Sequence, residues 1–123
     1  MNTFESIMER RTVHMWAPES VPEEVVLKAL QGAHMAPCHR LTWPWRFIRV
    51  GQSDRQKLFE LGVQLKAKDA AASEELRRKV ARKLKNPAHL IAVAQVSNDD
   101  PGVAKEDYAA ISCAIQNLAL IIH

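Results

Sequence analysis

The chain has 123 residues, 47% of them hydrophobic and 25% charged, so one soluble domain of ordinary globular composition is expected. Its 17 Lys and Arg against 14 Asp and Glu give a net charge of +3, which suits phosphate-bearing small ligands as well as nucleic acid. Two cysteines far apart, Cys38 and Cys113, argue against a disulfide scaffold and for a reducing compartment. The early acidic residues and the lack of a membrane-length apolar run argue against a signal peptide or a spanning helix, so a cytoplasmic location is expected.

The first element is a short helix in TFESIMERR, where Phe4, Ile7 and Met8 recur at helical spacing, with Thr3 as its cap and an end near Arg11. Two prolines, Pro18 and Pro22, make the following stretch an extended connector. A second helix starts around Pro22 with Ser20 as cap and Glu23 and Glu24 at its positive end. It buries Val25, Val26, Ala29, Leu30 and Ala33, and Pro37 ends it. WRFIRVG reads as a strand closed by Gly51. SDRQKLFELGVQLKAK is a third helix capped by Ser53 or Asp54. A cationic helix, SEELRRKVARKLK, follows an alanine-rich joint, with Leu76, Val80 and Leu84 on one stripe. PAHLIAVAQV is a nearly continuous apolar run, expected to be a strand buried on both faces. SNDDPG is a turn, and KEDYAAISCAIQNLALIIH a long, mostly apolar helix expected at the centre of the core. There are no internal repeats. The last helix stops at His123 with no glycine, cationic turn or cap, so a fragment, or a chain completed by a partner, is expected.

Two stretches concentrate chemistry. ERRTVH places Arg10, Arg11, Thr12 and His14 in one short turn-out from a helix. Paired guanidinium groups with a hydroxyl and an imidazole fit a terminal phosphate; the plainer reading is that the arginines complement the helix dipole. MAPCHRLTWPWRF brings His34, Cys38 and His39 near two tryptophans. Their spacing matches no zinc pattern and no fourth ligand is evident, so no metal site is assigned. Adjacent Cys38 and His39 rarely adopt nucleophile–base geometry, so no catalytic residue is assigned either. Trp43 and Trp45 read first as core packing. The cationic helix could touch nucleic acid, but its apolar stripe makes a solvated charged face the simpler account.

Taken together, RRTVH, the VP that opens the second helix, and APCHRLTWPWRF before a strand resemble the opening of the FMN-dependent nitroreductase family, closest to its compact bacterial NAD(P)H branch. NPAHLIAVAQV and EDYAAISCAIQNLALII resemble the family's second strand and central helix, so the resemblance covers nearly the whole chain. It implies an α+β fold, three-layered α/β/α with a mixed sheet around the central apolar helix. It implies FMN as cofactor, NAD(P)H as co-substrate, ping-pong hydride transfer to nitroaromatic or quinone-like acceptors, and a homodimer with no nucleic-acid or membrane partner. Arg10, Arg11 and Thr12 would grip the FMN phosphate and ribityl chain. His14 would stand where the family has a basic residue, Met35 and His39 would approach the flavin, and Trp45 would anchor the loop beneath it. Trp43 departs from the family's Gln and Thr12 from its Ser. The family's later Gly-rich, Trp-containing stretch and C-terminal basic residue have no counterpart in these 123 residues. The rival expectation is therefore a catalytically incomplete nitroreductase-like module that works by binding alone.

Overall fold

In the computed structural model, residues 2–68 and 70–123 are described; Met1 and Asp69, the latter just before the alanine-rich joint, lie outside them. Among these residues the chain runs α1 (Thr3–Glu9), α2 (Glu23–His34), a 3₁₀ turn (His39–Leu41), β1 (Trp45–Arg49), α3 (Gln52–Ala67), α4 (Glu74–Leu84), β2 (Ile91–Gln95) and α5 (Pro101–Ile121). The order and type of every expected element hold. Two compact units emerge: one takes the residues up to Arg11, Val21–Ile48 and Val93–His123, the other Thr12–Ser20 and Arg49–Ala92.

The first unit is built on α2 against α5. Its core is unusually small in side chain: Ala33, Ala36, Ala110 and Ala114 let the backbones approach, and Trp45 and Ile111 fill the remaining volume. Of the expected α2 stripe, Val26, Ala29 and Ala33 are buried and Leu30 half-buried, while Val25 points outward. Helix α1 is capped by Asn2 rather than Thr3. The Asn2 side chain accepts from the Glu5 N–H at 3.0 Å, and the Glu5 carboxylate accepts from the Asn2 N–H at 2.9 Å, a reciprocal capping box. It ends at Glu9, not Arg11, because Arg10 turns to an extended ψ of 131°. Helix α2 ends at His34 with Met35 as its cap, two residues before Pro37, and begins after Pro22 without any side-chain cap from Ser20. Helix α5 starts at Pro101, four residues before the expected Lys105. The Asp100 carboxylate accepts from the N–H groups of Gly102 (2.7 Å) and Val103 (3.2 Å), and Pro101 needs no N–H partner.

In the second unit α3 packs on α4 through Phe59, Val63 and Val80, joined by Leu76 and Leu84, so the stripe expected on the cationic helix is the buried one. Arg77 and Lys85 cover the Phe59 ring at 5.1 and 5.0 Å from its centroid. The cap of α3 is Gly51 and not Ser53 or Asp54; with no side chain, it leaves only the backbone to accept the first helical bond, from Arg55. Ser73 caps α4 through the Leu76 N–H. Lys68 closes α3 in the left-handed region at φ 48°.

The strands pair antiparallel. The Val96 N–H donates to Pro44 at 2.7 Å and the Val50 N–H to Leu90 at 2.9 Å, so numbers rise on one strand as they fall on the other. The expected mixed sheet is represented among the described residues by this one pair. Strand β2 is a correction: its residues are exposed or half-buried instead of buried on both faces, because the α2–α5 core takes its strand contacts from Trp45 and Phe47 of β1 and none of its residues from β2. No described helix is long and apolar enough to cross a membrane.

Candidate functional site

The basic segment after α1 divides between the units. Arg10 and Arg11 belong to the first, Thr12 and His14 to the second. The Arg11 guanidinium donates to the carbonyls of Met8 (2.7 Å) and Arg10 (2.8 Å), so it satisfies the frayed end of α1. This is the dipole role that the plainer reading gave both arginines, and Arg11 alone performs it. Arg10 is half-buried and, among the described residues, its guanidinium has no hydrogen-bond partner. Thr12 and His14 are exposed. His14 lines a cleft of about 400 Å³ in the second unit.

The loop between α2 and β1 is held more tightly than its composition indicates. Arg40, Leu41 and Trp43 all have positive φ (57°, 52° and 40°), a run of left-handed residues with no glycine among them. Three contacts impose that path. The Thr42 hydroxyl donates to the Asp107 carboxylate of α5 at 2.6 Å, and Asp107 is only 5% exposed. The Trp43 N–H donates to the Cys38 sulfur at 3.1 Å. The Thr42 hydroxyl proton is used by Asp107, so the Cys38 thiol, 3.3 Å from Thr42 Oγ1, is the donor in that pair.

The aromatics divide their work. Trp45 is buried, and its Nε1–H donates to His34 Nδ1 at 3.1 Å with the rings edge-on. It is the anchor beneath the loop that the resemblance implies. Trp43 is not core: it is 46% exposed and stacks on the outer side of His34, 6.3 Å between ring centroids. His39 lies exposed in the 3₁₀ turn. Met35 is exposed and borders a groove of about 710 Å³ with Leu27, Leu30, Gly32, His34 and Ile121. Among the described residues no hydrogen bond joins Arg10 or Arg11 to Met35 or His39. Among the described residues no group of three His, Cys, Asp or Glu gathers there to hold a metal ion.

Asp107 is the organising residue that the sequence did not reveal; His34, weighed there only as a metal ligand, instead accepts from Trp45 and stacks on Trp43. Removing the Thr42 hydroxyl with Thr42→Val should cost about 1–3 kcal/mol, because it leaves a buried carboxylate without its donor. It should also speed tryptic cleavage after Arg40, and Thr42→Ser should restore both. Unchanged proteolysis in the valine variant would mean that the contact does not hold the loop.

The fold and this loop define an α+β protein of nitroreductase-like architecture. It superposes on a nitroreductase-like family protein from Bacillus cereus with TM-score 0.78 at 22% identity, over 98% of this chain and 64% of that one. It also superposes on a nitroreductase in complex with FMN from Desulfovibrio desulfuricans, with TM-score 0.70 at 21% identity, over 98% and 62%. At such identity the likeness shows the fold. The sequence goes further: the model of the nitroreductase family matches residues 7–123, and the chain belongs to that family. It is 34% identical over 119 residues to the Bacillus subtilis protein YfhC, which carries the name of an NAD(P)H nitroreductase. That match covers 94% of this chain and 60% of the relative.

Proposed function

We propose that the chain serves an FMN-dependent oxidoreductase that takes electrons from NAD(P)H and passes them to nitroaromatic or quinone-like acceptors in two half-reactions. The observation that carries this reading is family membership over nearly the whole chain. The FMN of the Desulfovibrio neighbour and the name of the Bacillus subtilis relative support the cofactor and the co-substrate. Bound FMN would supply the ring that accepts and releases hydride.

The donors present fit a phosphate and a polar chain. In the first unit Arg10 offers an uncommitted, half-buried guanidinium; in the second, Thr12 and His14 each offer an exposed donor. Arg11 contributes by closing the end of α1. Met35 and His39 are assigned to the flavin ring, with His39 presented by the loop that Asp107 holds. None of these side chains acts as nucleophile or proton donor in this reading, so no catalytic residue is assigned. A homodimer belongs to the proposal: Leu27, Met35, Ile121 and Ile122 expose apolar surface along α2 and at the end of α5. The rival reading, a binding module without turnover, draws on the share of the relative spanned, 60% of its length.

Arg10→Ser should weaken FMN binding about tenfold to a hundredfold, the worth of a charge-assisted contact, with the thermal midpoint unchanged. With FMN saturating, NADH or NADPH should bleach the flavin absorbance and a quinone should restore it. Flavin absorbance untouched by either nucleotide would sink the redox reading.

A further inference from the structure

Helix α3 is apolar on two faces. Phe59 and Val63 pack with Val80 of α4, while Leu58, Leu61 and Leu65 recur at i, i+3 and i+7 along a second stripe. Those three leucines are 39%, 50% and 68% exposed. Single exposed leucines are ordinary, but three in register on one helix form a continuous apolar seam. The seam has an acidic end and a basic end. Asp54 stands one heptad before Leu61 and Lys68 one heptad after it, and both are exposed. Heptad steps keep Asp54, Leu61 and Lys68 on the same side of the helix, with Leu58 and Leu65 between them. Asp54 pairs with Lys57 at 3.0 Å, but that pair is exposed, contributes little and engages one carboxylate oxygen. Among the described residues Lys68 has no carboxylate partner.

We propose that this seam is a homotypic docking surface, occupied by the same seam of a second copy of the chain in antiparallel register. A two-fold axis at Leu61 sets Leu61 against Leu61, Leu58 beside Leu65, and each Asp54 beside the other copy's Lys68. A parallel copy would set Asp54 against Asp54 and Lys68 against Lys68. The charge pattern thus admits the first arrangement and opposes the second. The antiparallel arrangement also brings opposite ends of the two helix dipoles together. The occupant is a second copy because the seam carries both halves of its own charge match, as a self-complementary two-fold interface requires. Three leucines give far less than the roughly 800 Å² per partner of a standard interface, so the contact is weak, with a dissociation constant on the order of tens to hundreds of micromolar. The contact lies in the second unit, shares no residue with the α2 and α5 surface of the proposed homodimer, and does not depend on flavin or electron transfer.

The test is sedimentation equilibrium of the whole chain over concentrations that bracket those values. Every sample carries Leu27→Glu, which charges the α2 surface so that association there does not enter the reading. The expected result is a mass that rises with concentration toward twice that of one chain. Leu61→Glu should raise the dissociation constant about tenfold or more, because it sets two carboxylates against each other on the axis. Asp54→Lys and Lys68→Glu should each raise it about threefold to tenfold, and the two together should restore the parent value, since the exchanged ends match again. The double exchange leaves the leucines in place and keeps the test readable even where Leu61→Glu lowers the thermal midpoint. A mass that stays at one chain throughout would overturn the proposal and leave the seam to a different chain or to a continuation of this one. An association that Leu61→Glu leaves unchanged, or a double exchange that fails to recover the loss caused by each single one, would overturn it as well.

Discussion

Trp45→Ala is expected to lower the stability of the first unit by about 3–5 kcal/mol. Trp45 is 4% exposed and packs with Ala33, Ala36, Ala110, Ile111 and Ala114. Four of those five neighbours are alanines, which have no longer side chain to swing into the space an indole leaves. The cavity would therefore stay open, and the transfer and cavity costs add. His34 would also lose the hydrogen bond at 3.1 Å on which the Trp43 stack rests. Trp45→Phe keeps much of the volume and should cost less than half as much. Urea unfolding followed by far-UV circular dichroism reads both variants. An alanine variant within about 1 kcal/mol of the parent would mean that the loop and its anchor are not the centre of this core.

Arg55→Met should destabilise the second unit by about 3–5 kcal/mol, although methionine nearly matches the arginine stem in shape. Arg55 is 4% exposed, and its guanidinium reaches three carbonyls at the joint between β1, α3 and the turn before β2. It donates to Pro87 at 2.6 Å, Val50 at 3.2 Å and Ala88 at 3.4 Å. Methionine fills the space but gives those carbonyls no donor, and Pro87 is itself buried. Arg55→Lys keeps the charge but not the fork that reaches several acceptors, so it should fall between parent and methionine. Equal stability of the methionine variant and the parent, by the same urea assay, would show that water serves these carbonyls as well as the guanidinium does.

What could be read from the sequence was what is local. The capping box of Asn2 and Glu5 and the Asp-Pro start of α5 are short-range patterns, and both were open to reading. Thr3 and Lys105 offer competing starts in the sequence, one and four residues beyond Asn2 and Pro101. The RRT and APCH motifs were legible for the same reason, since their residues are contiguous. Strand β2 was misjudged because an apolar run shows that a strand could be covered, whereas coverage depends on other layers. The strained loop was hidden for a deeper reason. Arg40, Leu41 and Trp43 are ordinary residues with no preference for positive φ. Their conformation is dictated by Asp107, 65 positions beyond Thr42, and neither of the adjacent carboxylates Glu106 and Asp107 announces such a partner. The stripe of the cationic helix was legible because Leu76, Val80 and Leu84 recur at helical spacing, whereas the contact of Trp16 with Arg82 spans 66 positions.

The central claim, that this chain holds flavin, is tested most directly by adding excess FMN, desalting, and recording the visible spectrum with intact mass on the same sample. The account predicts a retained flavin band, FMN released on denaturation in near-equal amount to protein, and a mass matching the 13.9 kDa of the 123 residues. A colourless protein of that mass after desalting, with no heat on titration with FMN, would contradict it and leave a member of the family that keeps the fold without the cofactor.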